Sequence, residues 1–394
     1  MYNEKTYILG ANRSCIRELF EYGRQRAQMV GPENVYDYSL GNPSIPAPEA
    51  VAQAIRQILT DTDPMQIHGY TSAPGDLTTR QAIAEDLNVR FGTNVKPEEL
   101  FIGCGAAPEL VAVFRALAVP GAEILAIAPY FPEYRPFVEE AGASFRVVPP
   151  DIPGFQIRIE AVEEMLNEHT VALIINSPNN PSGTVYTKQT LEQLAALLER
   201  KSREYGHPIY IVADEPYREL IYDGAEATFI PSIYPNTVVC YSYSKSLSLP
   251  GERIGYIYVP ADAQDSGALY AAIAGAARAG GHVCAPSLMQ KVIARCANLR
   301  PDLAAYDKNR KALYQGLLDA GYEMAKPDGA FYLFVKAPGG DAQAFSDRAK
   351  EKDLLVVPGD GFGCPGYFRI CYCVSYEMIC RSLPVFRALM EEYR

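Results

Sequence analysis

The sequence contains no tryptophan, only four histidines and no Cys-x-x-Cys pair. The histidines lie far apart along the chain, and the nine cysteines are scattered. Zinc sites and disulfide frameworks usually show close cysteine and histidine spacing, so we expect no metal site and reduced thiols. We expect the closest cysteine pair, Cys371 and Cys373, to point to opposite faces if that segment is a strand.

Long apolar runs and an excess of positive charge are also missing. No run approaches the ~20 apolar residues that span a bilayer, and the N-terminus lacks the basic-then-apolar pattern of a secretory signal. The 47 acidic residues outnumber the 36 lysines and arginines, which gives a net charge of −11. This balance argues against a nucleic-acid partner. We therefore predict a cytoplasmic protein with no membrane partner, and its length predicts two or three domains.

The middle of the chain alternates β-rich runs with helical periodicity. Such alternation predicts a mostly parallel sheet with helices on both faces. The predicted strands are 100–104, 123–128, 144–148, 171–176, 209–213, 237–241 and 254–259. Helices are predicted for 109–118 and for a segment that Thr187 caps and Gly206 ends.

The two ends of the chain do not continue this alternation. Residues 331–335, 354–357 and 368–373 are typical of strands in a smaller α+β unit. We expect the first ~45 residues to join that unit. The predicted division is an N-terminal arm with the first part of the small domain (1–45), a large domain (46–285) and the rest of the small domain (286–394).

The sequence around one lysine is distinctive. Lys245 follows the predicted strand 237–241 among serines that include Ser242, and Arg253 comes eight positions later in a glycine-flanked turn. An amine that attacks a carbonyl, beside hydroxyls and a guanidinium that bind phosphate, is what a pyridoxal-phosphate Schiff base requires.

Three further segments place polar or small residues directly after predicted strands, where open parallel sheets bind ligands. The loop 103–109 opens a helix with small residues around Gly105, so its backbone can approach a phosphate. It fails as a dinucleotide fingerprint because Pro108 occupies the third glycine position. The turn 176–183 holds Asn180 before Pro181, and an ordinary strand-exit turn is the alternative. Asp214 directly follows the predicted strand 209–213. It would either pair with a protonated ring nitrogen or cap a helix.

Together these motifs resemble those of the aspartate aminotransferase superfamily, the fold-type-I pyridoxal-phosphate enzymes, over nearly the whole chain. The resemblance implies an α/β fold whose large domain has a mostly parallel seven-stranded sheet, with a smaller α+β domain formed by both chain ends. The matching motifs, in the family's order, are Ser39–Pro43, His68–Thr71 with Gly75 and Arg80, the Gly105 loop, Pro129–Tyr134, the Asn180 turn, Asp214–Tyr217, Lys245, Arg253 and Phe368–Arg369.

The resemblance also implies a role for each matching residue towards pyridoxal 5'-phosphate. Lys245 would carry the internal aldimine and then move the proton between the substrate Cα and the cofactor, and Asp214 would keep the ring nitrogen protonated. Asn180 and Tyr217 would bind the phenolic oxygen. The phosphate would be bound by Ser242, Arg253 and the amides of Gly105, Ala106 and Ala107.

Substrate and subunit contacts follow from the same resemblance. Arg369 would bind the substrate α-carboxylate with help from Gly41 and Asn180, and an internal salt bridge is the alternative. Phe131 would stack on the cofactor ring, where many relatives use tryptophan, or else be an ordinary core residue. Tyr70 would reach the phosphate of the neighbouring subunit, which implies a homodimer, unless it packs locally.

The expected activity is a ping-pong aminotransferase that moves an amino group from an L-amino acid to a 2-oxo acid. A cystathionine β-lyase-like C–S lyase shares these motifs and stays open, and a non-catalytic regulator on the same fold is a third reading. A dicarboxylate substrate would need a second cation, for which Arg13, Arg17 or a residue of a partner chain are candidates. Tyrosines lining an aromatic or apolar pocket are the alternative. Thr79 stands where relatives usually have leucine.

Overall fold

The computed structural model describes residues 1–11 and 14–394. The strands are β1 (Tyr36–Asp37), β2 (Leu100–Gly103), β3 (Glu123–Ile127), β4 (Ser144–Val148), β5 (Thr170–Asn176), β6 (Tyr210–Asp214), β7 (Thr237–Ser242), β8 (Gly255–Tyr258), β9 (Tyr332–Lys336), β10 (Leu354–Leu355), β11 (Val357–Pro358) and β12 (Tyr367–Cys371).

Helices occupy much of the remaining chain. They are α1 (Glu4–Ala11), α2 (Cys15–Val30), α3 (Glu49–Asp61), α4 (Pro64–His68), α5 (Leu77–Phe91), α6 (Ala106–Leu117), α7 (Tyr134–Ala141), α8 (Ile159–Met165), α9 (Lys188–Tyr205), α10 (Tyr243–Ser246), α11 (Ser266–Ala279), α12 (Ser287–Cys296), α13 (Leu303–Ala320), α14 (Ala342–Lys350) and α15 (Tyr376–Glu391). No helix in the described part of the chain combines the length and apolar character that crossing a bilayer requires.

A seven-stranded sheet forms the centre of the larger unit, in the order β2-β8-β7-β6-β5-β3-β4. Strands β3 to β7 pair in parallel, whereas β8 runs antiparallel to both of its neighbours. This confirms the predicted α/β fold with a mostly parallel seven-stranded sheet. The register places Asn176 beside Asp214, and Asp214 beside Cys240, so the motifs that follow these strands meet at one edge.

Alternate residues of the central strands enter two different hydrophobic clusters, one on each face of the sheet. In β6, Ile211 and Ala213 pack with α9 and α12, whereas Tyr210 and Val212 pack with α6 and α11. Because both faces are covered, β6 and β7 are buried along their whole length and β5 at every position except Val171, as expected for parallel sheets.

The local helix signals act as predicted. The hydroxyl oxygen of Thr187 accepts a hydrogen bond from the Thr190 amide at the start of α9, and Gly206 ends that helix in the left-handed conformation. Leu110, Val113 and Phe114 of α6 are fully buried against the sheet.

The second unit joins both ends of the chain. β11, β12 and β9 form an antiparallel sheet, and β1 pairs in parallel with β10. The prediction of one strand over 354–357 is therefore wrong in detail, because β10 and β11 belong to different sheets.

The prediction for the two cysteines at the end of β12 is wrong. Residues two apart in a strand share a face, and the Sγ atoms of Cys371 and Cys373 lie 2.9 Å apart. The strand ends at Cys371, and all nine cysteines are free thiols.

Candidate active site

A cavity of about 300 Å³ opens where the carboxyl ends of β5, β6 and β7 meet the second unit. It brings together most of the residues that the sequence singled out, from segments more than 300 positions apart. Those that line it are Gly41, Ala106, Ala107, Phe131, Asn180, Asp214, Tyr217, Ser242, Lys245, Arg253 and Arg369.

Two predicted residues do not line this cavity. Gly105 lies just behind the lining, since a Cβ atom on it would come within 3.0 Å of Arg253 Nη2. Tyr70 is fully exposed, with a relative accessibility of 101%, so it does not pack locally.

Lys245 lies in the short helix α10 directly after β7. Ser242 caps this helix by accepting a hydrogen bond from the Ser244 amide. The Lys245 amine donates to the Gly41 carbonyl over 2.6 Å. Burial lowers the pKa of this amine, which favours the neutral form that acts as a nucleophile.

Asp214, at the end of β6, has one carboxylate oxygen in a hydrogen bond and one without a partner among the described residues. Its Oδ2 accepts a hydrogen bond from the Tyr134 hydroxyl at 2.5 Å. Its Oδ1 is buried and has no hydrogen-bond partner among the described residues. Burial raises the pKa of Asp214 to about 7. No helix begins directly after Asp214. The alternative that Asp214 caps a helix therefore finds no support.

A buried carboxylate oxygen without a partner is costly unless a ligand satisfies it. A protonated pyridine nitrogen offers the donor and the positive charge that Asp214 lacks. The aspartate therefore fits the ring of pyridoxal phosphate.

Asn180 and Tyr217 lie on the same wall as Arg369. The Asn180 side-chain oxygen accepts from Arg369 Nη1 over 3.0 Å, and the Tyr217 hydroxyl shares a 2.7 Å hydrogen bond with the hydroxyl of Tyr332. The Tyr332 hydroxyl also explains why position 41 is a glycine. A Cβ atom on residue 41 would come within 2.3 Å of that hydroxyl.

Arg369 is a buried cation that has no carboxylate partner in the described part of the chain. It is 2% exposed, its Nη2 donates to the Ser39 carbonyl, and its Nε is unsatisfied among the described residues. No acidic side chain in the described ranges lies within ion-pair distance of it, so the internal salt bridge finds no support. A guanidinium in this state fits a carboxylate ligand.

The loop before α6 has the shape of an anion site. Gly105 precedes the helix with φ = +90°, a conformation that favours glycine, and the helix begins at Ala106. The Gly105 backbone at this helix start lies close to the guanidinium of Arg253, and the free N–H groups of a helix start attract anions. The loop, Arg253 and Ser242 together fit a phosphate.

Several residues in or beside the cavity were missed by the sequence reasoning. Tyr134 belongs to a segment that the motif comparison already contained, but nothing in the sequence pairs it with Asp214. Tyr332 comes from β9 in the second unit, and Ile16 and Leu40 come from the N-terminal part. Only the fold brings these together.

Of the candidates for a second cation, only Arg17 lies among the described residues. Arg17 is exposed and does not line the cavity, whereas its neighbour Ile16 does. Arg13 lies outside the described residues.

Comparisons with known proteins agree on one family. The sequence model described as aminotransferase class I and II matches residues 33–383. The chain is 29% identical to an aspartate aminotransferase of Thermotoga maritima over 366 residues, which cover 91% of this chain and 92% of the relative. It is 29% identical to an aspartate/prephenate aminotransferase of Thermus thermophilus, with 89% of each chain covered.

Solved structures show the same relationship. A crystal structure of an amino transferase from Eubacterium rectale superposes with a TM-score of 0.98 at 56% identity, covering 100% of this chain and 99% of that chain. The aspartate aminotransferase of Thermotoga maritima superposes with a TM-score of 0.87 at 27% identity, covering 99% and 100%. The chain belongs to the aminotransferase class I and II family, the pyridoxal-phosphate-dependent enzymes of fold type I.

Proposed function

We propose that Lys245, Asp214 and Arg369 carry out the transamination in the cavity, with an L-amino acid as donor and a 2-oxo acid as acceptor. The arrangement of these three groups supports the proposal. A partly buried amine, a buried carboxylate with an oxygen lacking a partner among the described residues and a buried guanidinium without a carboxylate there line one cavity. Lys245 would act on the reacting carbon, Asp214 would bind the cofactor and Arg369 would bind the substrate.

The cofactor would be held at both ends. Asp214 would bind the ring nitrogen, and Asn180 and Tyr217 the phenolic oxygen. The amides of Gly105, Ala106 and Ala107, with Ser242 and Arg253, would bind the phosphate, and Phe131, which lines the cavity, would face the ring. When bound, pyridoxal phosphate supplies an aldehyde carbon and a ring that stores the electrons of a broken C–H bond.

Lys245 would act twice on the same side of the site. Its neutral amine is the group that would hold the cofactor covalently, and with substrate bound the same amine would accept, hold and move the proton of the substrate Cα. Its lowered pKa suits both tasks. Arg369, with Gly41 and Asn180, would fix the substrate carboxylate and thereby orient the Cα–H bond, which is orientation as a source of rate.

We propose a homodimer as the working assembly. The exposed position of Tyr70 supports it, because a large aromatic side chain with no local packing is suited to reach a second copy. There it would bind the phosphate of the neighbouring site. A cytoplasmic location remains a prediction from the sequence.

We also propose the three-part division at residues 45 and 285, with one adjustment. α12 packs against α3 and α5 on the large sheet, and Val292 and Ile293 belong to that cluster. The second boundary therefore fits better after α12 than before it.

The donor stays a proposal at the level of L-amino acids. Relatives are named for aspartate, prephenate and aromatic amino acids. Ile16 and Leu40 are among the residues that line the described cavity, and contact with them would favour donors with an apolar side chain.

Covalent trapping tests the assignment of the lysine. The protein is loaded with pyridoxal phosphate, reduced with borohydride and digested, and the modified peptide is sequenced by mass spectrometry. The label should lie on Lys245 and be absent from Lys245→Ala. A label on another lysine in the wild-type protein would overturn the assignment.

A further inference from the structure

Two thiols lie almost in bonding contact in the wall of the active site. The Sγ atoms of Cys371 and Cys373 are 2.9 Å apart, so an approach of about 1 Å would bring them to the disulfide length of about 2.05 Å. Neither residue lines the cavity, and the transamination described above uses neither.

Closure of the pair depends on the backbone between the two residues. Residues two apart in an extended strand lie up to ~7 Å apart at Cα, whereas disulfides usually span about 4.4–6.8 Å. A slight shortening of the chain at Tyr372 is therefore needed. The Tyr372 amide donates to the Phe331 carbonyl over 2.9 Å and its carbonyl accepts from Asn309 Nδ2 over 3.1 Å, so closure has to strain these two hydrogen bonds.

The two thiols differ in their ionisation. Burial alone would raise the pKa of Cys371, but the hydrogen bond with Cys373 and the charge of Arg369 outweigh it and lower that pKa. Burial raises the pKa of Cys373. One sulfur is thus favoured as the thiolate that oxidants attack, and the other as the thiol that resolves the product.

Hydrogen bonds connect this pair to the groups that handle substrate. The Cys371 amide donates to the Tyr38 carbonyl over 3.1 Å, and Cys373 Sγ lies 4.0 Å from the Leu40 carbonyl. In the same segment, the Ser39 carbonyl accepts a hydrogen bond from Arg369, and the Gly41 carbonyl accepts one from Lys245. The segment 38–41 therefore links the sulfurs to both cations.

We propose that Cys371 and Cys373 form an oxidisable dithiol, and that its closure to a disulfide weakens carboxylate binding at Arg369. A hydroperoxide oxidises the Cys371 thiolate to a sulfenic acid and is itself reduced to the alcohol, or to water from hydrogen peroxide. The Cys373 thiol then attacks that sulfur, the S–S bond forms and water leaves. The effect on substrate rests on the proposed role of Arg369, whereas the oxidation itself does not.

We expect oxidants to reach the sulfurs from the cavity side. Cys371 is 0% and Cys373 3% exposed, and Cys373 Sγ lies 4.0 Å from the carbonyl oxygen of Leu40, which lines the cavity. A small oxidant such as hydrogen peroxide can follow this route, and a dicarboxylate or amino-acid analogue bound at Arg369 should slow it.

The test uses the holoenzyme with Cys380→Ser, because trypsin leaves Cys380 on the same peptide as the pair. After exposure to hydrogen peroxide and alkylation, the peptide 370–381 should lose two hydrogens and resist alkylation until a phosphine reductant is added. Cys371→Ser and Cys373→Ser should each abolish this product. The exposed Cys15 reports that the oxidant acted.

A kinetic measurement tests the consequence. The oxidised enzyme should show a KM for its amino-acid donor raised about tenfold, as expected for one weakened charge-assisted hydrogen bond, with recovery on reduction and no change in Cys371→Ser. Oxidation of Cys15 with the pair still reduced, or a sulfinic acid on one cysteine alone, would overturn the proposal. A disulfide with unchanged KM would overturn its second half. If the protein proved not to be a transaminase, the disulfide found by mass spectrometry would still stand.

Discussion

The Tyr134 hydroxyl donates to Asp214 Oδ2 over 2.5 Å, and the other oxygen of the same carboxyl group has no partner among the described residues. One oxygen is therefore fixed by Tyr134, and the other is left without a hydrogen bond in a residue that lines the cavity. Burial opposes the ionised form, while the Tyr134 hydrogen bond favours it.

Asp214 should make the apoprotein less stable as pH rises. Its pKa is raised by burial from 3.8 to about 7 in the folded state, so the folded protein holds a proton that the unfolded chain loses. That contribution to stability is complete below pH 4 and is lost as pH rises to 7, at about 1.4 kcal/mol per pH unit. Asp214→Asn should remove this part of the pH dependence. Thermal unfolding of both apoproteins between pH 4 and 8 measures it, and parallel curves would contradict the account.

Tyr134→Phe should weaken cofactor binding most at low pH. The lost hydrogen bond favours ionised Asp214, so its pKa rises further and less carboxylate is available at pH 7. The dissociation constant of pyridoxamine phosphate, measured from pH 6 to 9, should recover towards wild type at the alkaline end. Tyr270→Phe, which loses a hydrogen bond to the Leu100 carbonyl, is the matched control. An equal loss at every pH would show that Tyr134 acts by packing alone.

Lys245→Ala should separate binding from chemistry. The phosphate and ring contacts remain, so pyridoxal phosphate should still bind, although without a covalent bond. Turnover should fall by several orders of magnitude, because a group that serves as both nucleophile and base is lost. Steady-state assays and equilibrium dialysis measure the two effects. Turnover near that of the wild type would remove Lys245 from the mechanism.

Arg369→Lys should keep the charge but lose the forked geometry. The guanidinium reaches Asn180 and the Ser39 carbonyl at once, which an ammonium group does not reproduce. We expect kcat/KM for the amino donor to fall about 10- to 100-fold, mostly through KM. Arg300→Lys, at a half-exposed ion pair with Asp86, is the control. A change in kcat alone would argue for a different role.

Tyr70→Phe should weaken cofactor affinity without changing the oligomer. The hydroxyl would bind the phosphate of the other subunit, while the ring that would fill the proposed interface stays. Mixing this variant with Lys245→Ala under exchange conditions should produce one intact site per mixed dimer and restore activity at limiting cofactor. A monomer in sedimentation analysis, or no restoration, would contradict the shared site.

The parts of the fold that depend on local pattern were predictable. Buried runs such as β5 and β6 stand out by composition, and Thr187 and Gly206 mark the ends of α9 by their own chemistry. The segment 354–357 was not, because one continuous β-rich run divides between two sheets, and only the partners β1 and β12 decide this.

The site divides in the same way. Residues that carry distinctive chemistry after a strand, such as Lys245 and Asp214, can be found in the sequence. Tyr134 and Tyr332 act through single contacts with other elements, and no spacing encodes those contacts. The cysteine pair was misjudged because a strand repeats every two residues, which puts positions 371 and 373 on one face.

Nitrogen transfer tests the central claim most directly. The protein, loaded with pyridoxal phosphate, is incubated with a panel of nitrogen-15-labelled L-amino acids and a 2-oxo acid acceptor, and the products are followed by mass spectrometry. The account predicts that the label appears in the amino acid formed from the acceptor, with one donor 2-oxo acid released per label, and that Lys245→Ala transfers none. Label released as ammonia in place of a new amino acid, with pyruvate formed in the absence of an acceptor, would contradict it.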